Sequence, residues 1–365
     1  MRISGGGRCN VTHACFDPRE FATRFPRGEQ ELIGAFSRFQ ASDTVEWFES
    51  QGVKLKTEED GRMFPVTDRS QTIIDCLLEA ARNAGISLAT NRGVTRVMKN
   101  PGAGFVITLS NGERMECDRL MLATGGCRTA ALGDLALSPG HTLEPPVPSL
   151  FTFHIEMQWL RELAGTTVPL VEASVADSGL RERGPLLITH WGLSGPVILR
   201  LSAWGARKLH SADYKFVLRL NWLPAIDNSS LHDQLSRNRQ SHPTRFVRNT
   251  PITPLPARLW EQLCAEAGLP HGIRWAEVSK ADQCSLVRQL TGTEFQVTGK
   301  SLNKDEFVTC GGVRLREVNF KTMESRICPG LYFAGELLDI DGITGGFNFQ
   351  AAWTTGWIAG KAMAA

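Results

Sequence analysis

Hydrophobic positions recur at two periods along the chain, and each change of period marks a new part. From Asp17 to Gly85 the spacing is helical. Asp17-Pro18 pairs a capping carboxylate with a proline at the first helical position, and Ser70 precedes Ile73, Ile74, Leu77, Leu78 and Ala81 before Gly85 stops the run. Between these helices GRMFPVTD reads as a loop. From Ile86 the period becomes two: SLAT, VTRVMK, FVITL and RMECD predict a small antiparallel meander, with Ser110-Asn111-Gly112 as the hairpin turn joining the last two. The apolar run of LMLATGG (120–126) predicts a buried parallel strand whose carboxyl end meets a ligand.

EPPVPS (144–149) reads as a proline-rich connector, after which the texture changes to scattered strand runs, LFTFHI, PLVEASVA, PLLITHW and KFVLRLNW. One helix interrupts them, opening at Gly195-Pro196 and carrying Val197, Ile198, Leu201 and Trp204. Residues 229–292 are polar and proline-bearing with short helical pieces, which predicts a small helical subdomain. EFQVTG and FVTCGGV return to strand texture. GLYFAGE then reads as a strand ending in a turn, and FNFQAAWTTGWIAGKAMA as a helix with small residues on one face.

Composition narrows the function classes. With 365 residues, 42% of them hydrophobic, the chain has material for two or three domains. Lys plus Arg number 40 against 38 Asp plus Glu, a net charge of +2 that supplies no field for a polyanion, so neither nucleic acid nor an anionic membrane is expected as a partner. No run approaches the ~18 apolar residues of a membrane span, and the start lacks a signal peptide's apolar core. Nine scattered cysteines without a CxxC pair resemble neither a disulfide framework nor a zinc site, and suggest a reducing cytoplasm with no metal.

The candidate chemistry lies in three glycine clusters at the ends of strands or turns: Gly5, Gly6 and Gly7; Gly125 and Gly126; and Gly335 with Gly342, Gly345 and Gly346. Glycine pairs serve turns more often than ligands, so each is weak evidence alone. GITGGF carries more, because it immediately precedes a helix whose free N–H groups suit an anionic ligand atom.

ISGGGRCN, LATGG, CGGV, TMES and PGLYFAGELLDIDGITGGFNFQAA, in that order, resemble the BaiN-like family of NAD(P)/FAD-dependent oxidoreductases, also called aminoacetone oxidase-like flavoproteins. The resemblance covers nearly the whole chain. It implies an α/β fold: a glutathione-reductase-like FAD-binding domain (1–147 and 313–365) split by an inserted β-barrel (148–228 and 293–312) plus a helical subdomain (229–292). It also implies that Gly5, Gly6, Gly7, Arg8 and Asn10 lie along the flavin and its ribityl chain, and that Ala123, Thr124, Gly125 and Gly126 end the strand beneath it. Gly335 and Glu336 would meet the ribityl hydroxyls. Gly345, Gly346, Phe347 and Asn348 would bring a helix N-terminus to the ring's pyrimidine edge, where reduction places negative charge, with Asp341 and Gly342 also at the cofactor.

In the family a strand, a GxGxxG turn and a helix precede ISGGGRCN and hold the ADP half of FAD. Nothing here corresponds to them, so roughly 30 to 45 residues of a β-α-β unit are missing. The expectation is that the chain is N-terminally truncated, folds poorly alone and holds FAD weakly. The implied activity is hydride transfer from NAD(P)H through FAD to a small hydrophobic, enone-type substrate. An FAD-dependent amine or ketone oxidase and a non-catalytic binding relative are the alternatives.

His190, in ITHWGLSG, is the candidate catalytic residue, as a proton donor to the reduced substrate; it equally suits a capping role in the turn before the Gly195-Pro196 helix. Cys9 and Cys127 adjoin glycine clusters but have no resolving partner nearby, which favours packing. Arg62 matches a family position and equally fits a solvated loop. Asp339 and Asp341 also suit local backbone bonding in the last turn. Oligomeric state is not legible.

Overall fold

The computed structural model describes residues 1–100, 102, 104–127, 130–301 and 308–365. The chain divides into two compact units, Met1–Ser149 with Asn303–Ala365, and Leu150–Leu302.

In the first unit the helical periodicity of the early chain becomes Pro18–Ala22, Glu29–Phe36, Ala41–Ser50 and Ser70–Asn83. The Asp17 carboxylate accepts the Glu20 N–H at 2.7 Å, the bond that starts the first of them. The strand Leu120–Leu122 runs parallel to Leu331–Phe333, with Leu120 opposite Leu331, and forms one edge of a four-stranded sheet that continues through Glu324–Ser325 to Val318–Asn319. Two β segments more than 200 residues apart thus end side by side, with GLYFAGE and LMLATGG directed the same way. Val94–Lys99, Phe105–Leu109 and Arg114–Cys117 form the meander. The last helix is Phe347–Ala364, and it buries Gln350, Ala351, Thr354, Thr355, Ile358 and Ala359.

Four stretches of this unit depart from the periodicity reading. Leu120–Leu122 is an edge strand and not a buried one, with Met121 37% exposed. SLAT lies outside any strand, with Ile86 and Leu88 62% and 65% exposed: alternation there meets no surface to cover. GRMFPVTD is not wholly loop, because Arg62–Pro65 is the middle strand between Thr12–His13 and Leu55–Thr57. EPPVPS is not a connector, since Leu143–Ser149 pairs antiparallel with Val308–Val313. A two-stranded ribbon uses one edge of each strand, so the N–H groups its prolines lack need not be the ones it requires. The same pairing puts Val308–Val313, within the FVTCGGV stretch expected in the barrel, into the first unit.

The second unit is built on a seven-stranded antiparallel sheet that starts at Thr293–Val297 and ends at Gly299–Lys300. These two edges are separated by Thr298 alone, so the sheet must curl until its ends meet. Thr293–Val297 alternates buried and exposed residues, which puts Phe295 inside. Pro196–Trp204 packs Val197, Ile198 and Leu201 against the strands, opening after Gly195 as the Gly-Pro signal predicts. Asn228–Ser241, Ala257–Glu266 and Lys280–Gly292 are the helices of its polar stretch. They are anchored by buried tryptophans whose indole N–H groups are all used: Trp222 to Thr293 Oγ1 (2.7 Å), Trp260 to the Val247 carbonyl (2.9 Å) and Trp275 to Thr250 Oγ1 (2.7 Å).

Candidate functional site

Gly5, Gly6 and Gly7 turn through left-handed backbone, with φ of 59°, 68° and 84°, and Cys9 has φ 62°. The Cys9 N–H donates to the Ser4 carbonyl (3.0 Å) and closes the turn. Nothing stands within 4 Å of the positions where Cβ atoms of Gly6 and Gly7 would be. The turn is a curved ribbon of backbone open on one side, which only glycine builds without strain.

The segment from Asn10 to His13, just past the turn, is sewn to the start of the last helix. Asn10, its amide oriented by its partners, donates to the Thr12 carbonyl (3.1 Å) and accepts the Gly346 N–H (2.9 Å). Gly346 lies at φ 93°, and a side chain there would collide with the Thr12 carbonyl. Thr12 and Thr44 both donate to Gln350 Oε1, at 2.7 and 2.9 Å. The Trp353 indole donates to the Val11 carbonyl (2.9 Å), and the His13 ring stacks on Phe347 with centroids 4.7 Å apart. Residues some 335 positions apart in sequence are thereby fixed at the positive end of an 18-residue helix.

A second pair of clusters meets along the same helix. The Ala334 N–H donates to the Leu122 carbonyl (3.1 Å), so Ala123, Thr124, Gly125 and Gly126 leave their strand beside Gly335 and Glu336. Glu336 accepts the Thr309 N–H at 2.7 Å, and a Cβ on Gly126 would sit 2.6 Å from Glu336 Oε1 and collide with Thr309 Oγ1. The Gly335 N–H donates to Thr355 Oγ1 (2.9 Å), tying this pair to the helix. Thr124 Oγ1 is buried with no partner among the described residues. A buried hydroxyl without a bond costs free energy, so its position invites a polar ligand atom.

Other expected residues are committed to the scaffold. The Asp341 carboxylate is fully buried, paired with Arg27 and accepting from Ser149 Oγ (2.8 Å). Phe347 packs into a cluster with Phe21 and Phe25. Asn348 brackets Gly342 with two 2.8 Å bonds, one to its N–H and one to its carbonyl. Arg8 lies 4.0 Å from the Phe64 ring centroid and shares Glu58 with Arg62, at 2.6 and 2.9 Å. That carboxylate holds the Arg8 guanidinium above its usual range. Burial pushes the Cys9 thiol up to about 11, which removes the thiolate at neutral pH, and raises Cys127 as well. His190 is exposed in the turn between Arg181–Thr189 and Gly192–Ser194 of the second unit.

His13, Thr12, Thr44 and Gln350 escaped the motif reading. A partial signal existed for Gln350, a polar residue on the apolar face of a helix with Thr354 one turn on; its Nε2 does bond Thr354 Oγ1 (3.1 Å). His13 carried none, since its partners Phe347 and the Asp60 carbonyl (3.1 Å) are remote in sequence.

A family model described as HI0933-like protein Rossmann domain matches residues 1–362. The chain belongs to that family. It is 33% identical over 365 residues to the ribosomal RNA dihydrouridine synthase of Escherichia coli K12, covering 97% of this chain and 86% of that one. The 3-dehydro-bile acid delta(4,6)-reductase of Clostridium scindens is 30% identical, with 99% and 88% covered. The ribosomal RNA dihydrouridine synthase of Haemophilus influenzae is 28% identical, with 97% and 87% covered. Family and relatives give the class of this HI0933-like protein as a flavin-dependent oxidoreductase of the BaiN-like group with a Rossmann-like α/β fold. Among solved structures, Escherichia coli quinol fumarate reductase aligns with 98% of this chain and 63% of its own at 14% identity and a TM-score of 0.43, too loose to argue from. No helix of the described residues is long and apolar enough to cross a membrane, and no group of His, Cys, Asp and Glu among them could hold a metal.

Proposed function

We propose that this chain reduces a carbon–carbon double bond conjugated to a carbonyl, using FAD with NAD(P)H as electron donor. The carrying observation is the hydrogen-bonded junction between the opening glycine turn and the N-terminus of the last helix, through Asn10 and Gly346. Three features support a flat ring that gains negative charge on reduction: open backbone at Gly6 and Gly7, a helix N-terminus, and a buried Thr124 hydroxyl without a partner among the described residues. When bound, FAD would supply the hydride for such a reduction. Gly6 and Gly7 would leave room for the ring and Asn10 would hold the turn against the helix. The helix N-terminus would stabilise negative charge developing at the ring edge. Glu336, positioned by the Thr309 N–H, would accept from ribityl hydroxyls.

The relatives' names supply the substrate class. A 3-dehydro-bile acid with Δ4,6 unsaturation and a uracil ring each place a C=C in conjugation with a ring carbonyl, and both named activities saturate such a bond. A hydride at the far carbon and a proton at the near one complete either reaction. A small apolar enone is one substrate reading. A uridine in ribosomal RNA is the second, favoured by the two relatives so named.

The test is anaerobic reduction of the FAD-loaded chain by NADPH or NADH, read from the flavin's visible absorbance, and then mixing with a 3-oxo-4,6-diene steroid or with ribosomal RNA. Reoxidation by either, with the saturated product, supports the proposal. Reoxidation by air alone would favour the oxidase reading.

A further inference from the structure

The net charge of +2 conceals a strong asymmetry. Residues 28–60 hold eight carboxylates against three cations, whereas residues 234–260 hold five arginines and no carboxylate. Arg237, Arg239 and Arg245 from that stretch are exposed, as is Arg274, and none forms an ion pair among the described residues. The fold ties Arg245 to Arg274, and Arg237 and Arg239 lie on the helix just before them in sequence, Asn228–Ser241. The Trp275 N–H donates to the Arg245 carbonyl (3.1 Å), and Phe246 is bridged to Arg274 as an antiparallel pair. The Arg274 and Arg248 guanidiniums lie 5.5 and 5.8 Å from the Phe246 ring centroid. Arg248 shares Glu261 with His271, each at 3.5 Å, so it contributes less free charge. Asp227, Asp233, Glu261, Glu266 and Glu277 are the exposed carboxylates nearby in sequence; Asp227 is engaged by the Ser230 N–H of its own helix (2.9 Å), and Glu277 accepts the Arg274 N–H at 2.8 Å.

We propose that this arginine face, on the helical part of the second unit, docks RNA. Uncompensated arginines steer and hold phosphates, and a guanidinium positioned on an aromatic ring is also placed to stack on a base. The proposal rests on the uridine reading above and goes beyond it by naming where the polymer is gripped.

The experiment is fluorescence anisotropy of the whole chain with a fluorescein-labelled oligouridine, across a salt series. The variant combines Arg237→Gln, Arg239→Gln, Arg245→Gln and Arg274→Gln. A control of equal charge loss combines Arg19→Gln, Arg82→Gln, Arg92→Gln and Lys215→Gln. The expected result for the face variant is affinity lower by on the order of 100-fold at about 0.1 M salt, and a log–log salt slope shallower by about 3; the control should keep most of its affinity. Equal losses in both variants, an unchanged face variant, or no binding by the parent chain would each overturn the proposal. Heparin binding as tight as RNA, with the same slope change, would overturn it too, leaving a general anion patch. Dihydrouridine formation in ribosomal RNA, assayed separately, distinguishes the two claims. Product without face dependence sinks the docking surface alone, and face-dependent binding without product sinks the uridine reading alone.

Discussion

The junction at the last helix and the arginine face are assembled in opposite ways. At the junction, Gly5 to His13 and Gly345 to Trp353 come from the two ends of the chain and are joined through buried bonds: Asn10 to Gly346, Thr12 and Thr44 to Gln350, Trp353 to Val11. The arginine face draws mainly on one contiguous stretch, and its charges project outward with little to hold them. At the junction, stability and function share the same atoms. On the face they are separable, because exposed substitutions away from special features usually change stability by less than about 0.5 kcal/mol.

The sharpest way to break this contrast is Gly346→Ala. The new methyl would meet the Thr12 carbonyl at a backbone angle that disfavours any side chain, so a loss of about 3 kcal/mol or more is expected in urea unfolding. Gln350→Leu comes next. It keeps the helix but strands the Thr12 hydroxyl, at about 1–3 kcal/mol, whereas Thr44 retains the Gln40 carbonyl at 3.4 Å. Gly7→Ala separates the two roles within the junction. Only conformational strain opposes it, about 1–2 kcal/mol, since nothing crowds the new methyl. If the turn borders the flavin, FAD retention on gel filtration should fall much further than stability does. Equal retention in Gly7→Ala and the parent chain would remove the turn from the proposed cofactor site. Arg237→Gln, Arg239→Gln and Arg245→Gln, each taken singly, should shift unfolding by less than about 0.5 kcal/mol.

The same contrast decides how much of each region was legible in the sequence. The glycine turns, the capping of Pro18–Ala22, the hairpin at Asn111-Gly112 and the Gly-Pro start of Pro196–Trp204 are written locally, so sequence order suffices to find them. The parallel pairing of Leu120–Leu122 with Leu331–Phe333 is not local: each segment reads as a strand by its own apolar run, but nothing in either names its partner. The polar junction was hidden. Thr12, Thr44 and Gln350 are ordinary taken singly, and only the fold makes them one network. Proline content misled at Leu143–Ser149, because it reports which N–H groups are absent and not which edge the ribbon uses. The arginine face was missed for a different reason: whole-chain charge averages it against the acidic stretch 28–60.

The smallest effect, and the one that sharpens the contrast most finely, is expected from pH. Burial holds His13 below its ordinary 6.5, against the pull of the Asp60 carbonyl, and burial lowers His141 likewise, where its ring nitrogen meets Ser325 Oγ at 2.8 Å. Between the lowered folded value and 6.5 the unfolded chain binds more protons than the folded one, so stability rises with pH through that interval. The contribution is therefore complete above about pH 6.5 and is lost as pH falls toward the folded values, levelling once both states are protonated. Carboxylates add their own loss only further down, so the upper part of the slope belongs to histidine. Urea midpoints of the parent chain should fall from pH 7.5 to 5.5, and His13→Asn with His141→Asn should flatten that fall while lowering the plateau. Both histidines lie in the first unit, so the four-arginine variant should keep the parent's slope unchanged. A slope altered by the face variant would mean that the two regions share their stability after all.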